Sequence, residues 1–241
     1  MLQTTRGIVF KYINYSETSI IAKIYTEEFG LLSFIIKGVR GKRSKTRLAL
    51  FQPLTLLDIE VGFRENKNLQ YLKEVKVAHA YTTLPVDTIK RTFLFFIDEL
   101  LYRSIREEMP NKLLFNWLFD SLTWLDLTTM EITNFHLVFM VQFSRFLGFY
   151  PKKNVGEHLQ VFDLREGQFT DHIPQHPDYA GGMQAELLDL LLETSFEKNN
   201  ELEISYSERR NLLDVLITYF QLHLPGFGEM KSVEILHEVL G

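Results

Sequence analysis

The stretch KGVRGKRSKTR, Lys37 to Arg47, holds six basic residues in eleven and no acid. At that density Lys37, Arg40, Lys42, Arg43, Lys45 and Arg47 can do one kind of chemistry, the neutralisation of a polyanion. Lys and Arg gain affinity by releasing counterions from phosphates, and they need no sequence information to do so. Gly38 and Gly41 let the backbone bend close to a ligand. A basic run on a loop is also what a solvated turn looks like. Against that, the chain is acidic overall, with a formal net charge of -5. Residues 1–80 carry 13 Lys+Arg against 7 Asp+Glu, which is +6, and the remainder carries 13 against 24, which is −11. Such asymmetry predicts two parts with different partners.

No other cluster spells a reaction. With no cysteine there is no disulfide, thiol nucleophile or thiolate-bound metal. GxSxG, GxxxxGKS/T and HExxH are all missing. Asp98-Glu99 and Glu107-Glu108 are adjacent on a helical pattern, so each pair diverges and cannot share acid and base roles. His172 and His176 have the spacing of some zinc sites, with His158, Asp163, Asp171 and Asp178 in the same stretch. Pro174 interrupts that spacing, and structural zinc needs four well-placed ligands. No spacing here supports a catalytic site, and none a four-ligand metal site. The N-terminus has no apolar signal region, and no apolar run approaches the ~20 residues of a membrane span. The expectation is a soluble, cytoplasmic protein.

The elements that must position the run read as two halves. GIVFKYINY, TSIIAKIYT, LLSFIIKG, LTLLDIEVG and LQYLKEVKVAHAY have strand composition, with turns at Ser16-Glu17 and Phe29-Gly30. In the fourth, Leu57, Ile59 and Val61 share one side, and Asp58 and Glu60 the other. In the fifth, the alternation puts Tyr71, Lys73 and Val75 opposite Leu72, Glu74 and Lys76. Five such strands can close into a small barrel, which removes exposed edges. The basic run joins the third strand to the fourth, and loops on such barrels commonly bind single-stranded nucleic acid. Phe10, Tyr12, Tyr15, Tyr25, Phe34 and Tyr71 are candidates for base stacking, most of them expected in the core. Beyond Pro85 the apolar period becomes helical: Phe93, Phe96, Ile97, Leu100 and Leu101 share a face. KLLFNWLFDSLTWL, ITNFHLVFMVQFSRFLGFY, GMQAELLDLLLETSF, SERRNLLDVLITYFQLHL and EMKSVEILHEVL continue it. The segment 152–182 is irregular, with a hairpin expected to turn at Glu166-Gly167. The boundary is placed at 81/82.

The chain resembles the bacterial RecO family of recombination mediators. TRGIVFKYINYSETSIIAKIYTEEFGLLSFIIKGVRGKRSK is similar to the family's N-terminal domain, with Thr26, Gly30, Lys37, Gly38, Arg40 and Ser44 in the family's places. QPLTLLDIEV, Leu147-Gly148 with Pro151, and LPGFGEMKSVEIL fit downstream. The resemblance implies an α+β protein: a five-stranded OB-fold barrel over 1–81, then a helical domain over 82–241 with a small β-hairpin insert. It implies binding of single- and double-stranded DNA, annealing of complementary strands, and action with RecR to load RecA onto DNA coated by the single-stranded DNA-binding protein SSB. The SSB C-terminal tail is acidic and hydrophobic, and Arg145, Lys152 and Lys153, near Phe146 and Phe149, are candidates to receive it. The alternative for both phenylalanines is ordinary core. Many members carry a four-cysteine zinc site after LG..P; here it is absent, so no cofactor is expected. The alternative function is an OB-fold module that binds RNA or protein without a recombination role.

Overall fold

The computed structural model describes residues 2–39, 45–64, 67–106, 109–153 and 161–240, with the backbone alone at Lys45 and Thr46. The chain divides into two compact units, Met1–Thr128 and Thr129–Gly241.

In the first unit β1 (Leu2–Asn14), β2 (Ile20–Thr26), β3 (Gly30–Ile36), β4 (Leu56–Gly62) and β5 (Leu69–His79) close into a barrel in the order β1-β2-β3-β5-β4. All neighbours are antiparallel except β3 and β5. β4 behaves as its alternation dictates, with Leu57, Ile59 and Val61 in the core beside Val9, Ile24 and Phe34. β5 does not. Val61 pairs with Leu72 and Glu60 with Glu74, so Lys73 is an extra residue, and Ala78 is a second between Val77 and His79. An inserted residue breaks the two-residue alternation. Leu72 and Val75, expected on opposite sides, therefore both pack on the core. The turn from β2 to β3 is set by Thr26. Its hydroxyl donates to the Gly30 carbonyl at 2.8 Å and accepts from the Phe29 N–H at 3.1 Å, and Gly30 adopts φ +69°.

Among the described residues, α1 (Lys45–Ala49), α2 (Thr88–Ser104) and α3 (Lys112–Leu127) complete this unit. α2 buries Phe93, Phe96, Ile97, Leu100 and Leu101, the face its period predicts. Asp87 and Asn111 cap α2 and α3 by accepting the N–H of Lys90 and Leu114. The barrel is joined to these helices through Asp126. An acid in the last turn of a helix opposes the macrodipole. Asp126 is nevertheless fully buried, because its carboxylate accepts the N–H groups of Thr82, Thr83 and Leu84 at 2.8–3.0 Å and meets His79 Nε2 at 3.1 Å. Lys90, also buried, donates to the Asp126 and Thr128 carbonyls at 3.0 and 2.7 Å.

The second unit is built around α4 (Phe135–Phe146), buried on nearly every side. α5 (Met183–Leu192), α6 (Tyr206–His223) and α7 (Ser232–Leu240) surround it, with a 3-10 turn at Phe196–Glu201. A capping box between Ser205 and Glu208 starts α6. The expected hairpin is β6 (Val161–Asp163) and β7 (Gln168–Thr170), turned at Gly167 with φ +65°. Asp163 holds that turn by accepting the N–H groups of Arg165 and Glu166. A third strand, β8 (Tyr179–Gly181), pairs with β6 and makes the insert a sheet. Among the described residues, no helix is long and apolar enough to cross a membrane.

Candidate nucleic-acid interface

The basic run is held at both ends. On one side Lys37 and Gly38 are exposed and Val39 is fully buried, its N–H bonded to the Thr18 carbonyl at 3.0 Å. On the other, Phe51 is fully buried, and Leu48 and Leu50 pack on the barrel core. Gly38 adopts φ +70° with open space around it, which is the turn the run needs in order to leave the strand. Arg40, Lys42 and Arg43 lie outside the described residues, as does the side chain of Lys45. Arg47 is exposed, but Lys45 and Arg47 belong to α1 rather than to the loop expected from their charge. The apolar residues Leu48, Leu50 and Phe51 draw that end of the run onto the barrel.

Beside the run, four strands set their outer side chains in one row. Ile13 pairs with Ile21, Ile21 with Ile35, and Ile35 with Tyr71. Ile13 is 54% exposed, Tyr71 48% and Ile35 9%. Apolar side chains facing solvent on a barrel are available for stacking. The Lys37 ammonium lies 5.8 Å from the Tyr71 ring centroid, so the row ends against the first cation of the run. Of the six aromatic candidates, Phe34 is in the core and Tyr12 is half-buried against it. Phe10 and Tyr25 stack on each other and are buried, with Phe115 of α3 beside Tyr25. Tyr15 and Tyr71 remain exposed. The next row along the strands is Lys11, Lys23 and Ser33. Lys11 and Lys23 were not singled out by the charge run. Their signal was the alternation in IIAKIYT, where Ile21 and Lys23 share the side opposite Ala22 and Ile24.

Some other basic residues are already committed to acids, Arg6 and Lys153 among them. The Arg6 guanidinium binds Glu27 at 2.8 and 3.0 Å and lies over the rings of Phe115 and Phe119. That hydrogen bond raises the Arg6 pKa and lowers that of Glu27. In the second unit Arg145 is exposed and stacks on Tyr150 at 4.5 Å, and Lys152 is exposed. Lys153 is 2.8 Å from both Asp189 and Glu193, which raise its pKa and neutralise it locally. Phe149 packs edge-on to Tyr219 and Phe220 and flat on His223, and Phe146 is half-buried.

Among the described residues, the insert's histidines each pair with a single acid. His176 pairs with Asp163 at 3.3 Å, while His172 bonds Thr170 and Asp171 on the surface. Among the described residues no three His, Asp or Glu side chains gather as metal ligands, and His158 lies outside them. With no cysteine, the chain cannot build a four-cysteine zinc site.

Two family models divide the chain between them: Recombination protein O N terminal matches residues 1–81, and Recombination protein O C terminal matches residues 86–232. The chain belongs to the RecO family. Proteins named DNA repair protein RecO from Phocaeicola vulgatus and Bacteroides fragilis are each 38% identical to it, over 99% of both chains. One from Christiangramia forsetii is 36% identical over 100% of both. The closed barrel followed by helices agrees with that membership. Several of the residues that carry the resemblance do structural work here. Thr26 and Gly30 make the turn from β2 to β3, and Gly148, at φ +86°, follows the end of α4.

Proposed function

We propose that this RecO-family chain is a DNA repair and recombination mediator that binds single- and double-stranded DNA and anneals complementary strands. With RecR it helps load RecA onto SSB-coated single strands. It works in the cytoplasm, by binding rather than by catalysis, and without a metal. Family membership supports the repair and recombination role. The observation that carries the DNA reading is the Lys37 ammonium over the exposed Tyr71 ring, where the apolar row meets the basic run. A cation beside a stacking ring suits a phosphate next to an unpaired base. For the SSB tail the reading rests on Arg145 and Lys152, since Lys153 is already neutralised.

The deciding experiment is strand annealing by the purified protein, with and without SSB on the strands. Accelerated annealing in both conditions is expected; no acceleration in either overturns the reading. A competition of single-stranded DNA against RNA of the same sequence separates it from an RNA-binding module.

A further inference from the structure

Beyond the run, the first unit holds a second cationic site. A groove of about 440 Å³ opens between the barrel and the end of α2, lined by Lys23 and Leu31 from the barrel and by Glu99, Tyr102, Arg103 and Arg106. Three elements send cations toward the same phenol. Lys11 of β1 hydrogen-bonds the Tyr102 hydroxyl and lies 3.9 Å from its ring centroid. Lys23 comes from β2, and Arg106 from the segment after α2. The hydrogen bond from Lys11, with the charges of Lys11, Lys23 and Arg106, lowers the Tyr102 pKa. Glu99 is engaged by Arg103 at 2.8 Å, which fixes that guanidinium at the wall. Asp98, next to Glu99, is mostly buried, and burial pushes its carboxyl up to about 7, so near neutrality it withholds part of its charge from Lys11.

We propose that this groove binds a phosphate group of a nucleic-acid strand, as a second contact beyond the basic run. Guanidinium, ammonium and phenol hydroxyl converging on one cavity are donors matched to phosphate oxygens. The groove lies on the same outer face as Lys37. Lys23 pairs with Ser33, four residues back along the strand from Lys37, which is about 13 Å. The row Ile21, Ile35 and Tyr71 lies between them. One strand can then place phosphates at both ends and bases over the row. The inference rests on the DNA-binding reading of the barrel.

The test uses the full chain and a fluorescein-labelled thymidine oligomer over a salt series. The variant Lys23→Gln with Arg106→Gln keeps the side-chain stems and removes two charges. Its affinity is expected to fall roughly tenfold at 0.1 M salt, and its log–log salt slope to flatten by about 1.4, at about 0.7 per single-strand phosphate contact. Lys23→Arg with Arg106→Lys should restore both. If the double variant fails to fold by circular dichroism, Arg106→Gln alone, at an exposed position, should flatten the slope by about 0.7. Parent-like affinity and slope in the charge-removing variants, while a variant of Arg40, Lys42 and Arg43 loses binding, would overturn the groove and leave the function standing. An oligomer that does not bind the parent overturns both. Titration of inorganic phosphate separates the sources: variants that lose phosphate binding but keep oligomer binding make this a free-phosphate site and sink the inference.

Discussion

Lys90 and Lys37 belong to the same unit and do opposite things. Lys90 lies in the junction between barrel and helices, 5% exposed, with its ammonium on two carbonyls and the Thr83 hydroxyl. Its charge is spent on closing backbone groups around Asp126. Lys37 sits on the outer face, exposed, with an aromatic ring in place of a carboxylate. Among the described residues Lys11, Lys23 and Lys37 form no ion pair with an acid, whereas Arg6, Arg103 and Lys153 do. Counting charges does not separate these groups. What separates them is whether the fold has already supplied the anion.

The comparison predicts that junction variants damage folding and outer-face variants damage binding. The largest effect is expected from Asp126→Ala, which strips the partners from three backbone N–H groups and from His79. A loss of about 3–5 kcal/mol is expected in urea unfolding, as for other broken buried charge networks. The protein that remains folded should bind the oligomer normally. Asp126 also sets an acid limit. Burial raises its pKa, but the bonds from Leu84, Thr82, Thr83 and His79 outweigh that and hold it well below the usual carboxylate range. Its contribution is therefore complete above the unfolded value near 4 and is lost as pH falls below it. Asp126→Asn should flatten that acid limb of stability; an unchanged limb would remove Asp126 from the junction's account.

Next comes the run itself. Changing Arg40, Lys42 and Arg43 to Ala should weaken DNA binding for every sequence and flatten the log–log salt slope by about 2. Stability should stay within about 0.5 kcal/mol. Parent-like binding across the salt series would make the run a solvated loop. Tyr71→Ala should cost about 1–3 kcal/mol in oligomer affinity if a base stacks there, and Tyr71→Phe should cost little. Equal losses from both would assign the effect to the hydroxyl instead. The smallest effect is expected from Lys153→Gln, which removes an ion pair open to solvent. Its stability change should be within about 1 kcal/mol by thermal melting, with SSB-tail affinity unaffected. A clear loss of tail binding would return Lys153 to that site.

Much of this contrast was legible in the sequence. Period two over Leu57–Val61 and helical period over Phe93–Leu101 each predicted the buried faces, because one local rule governs each segment. Where two rules compete, the sequence misleads. Leu72 and Val75 change relation through an inserted residue that no alternation announces. α1 is five residues long, too short to nucleate on its own, and its propensity is hidden under the charges of Lys45 and Arg47. The row Ile13, Ile21, Ile35 and Tyr71 exists only once three strand registers are known. The acids that occupy Lys153 are 36 and 40 residues away, on or beside α5. Val39 and Phe51 were unremarkable as letters, yet they are the posts between which the run is strung.

Those two posts are buried on either side of residues 40–47. Between fixed ends, added chain costs only the logarithm of its length, about 0.6 kcal/mol for each doubling. Residues inserted or removed after Val39 are expected to leave the strand registers on either side untouched, since no register includes that stretch. Adding or removing a lysine there should therefore change the salt dependence of binding by about 0.7 in log–log slope per single-strand phosphate contact, with little effect on the core.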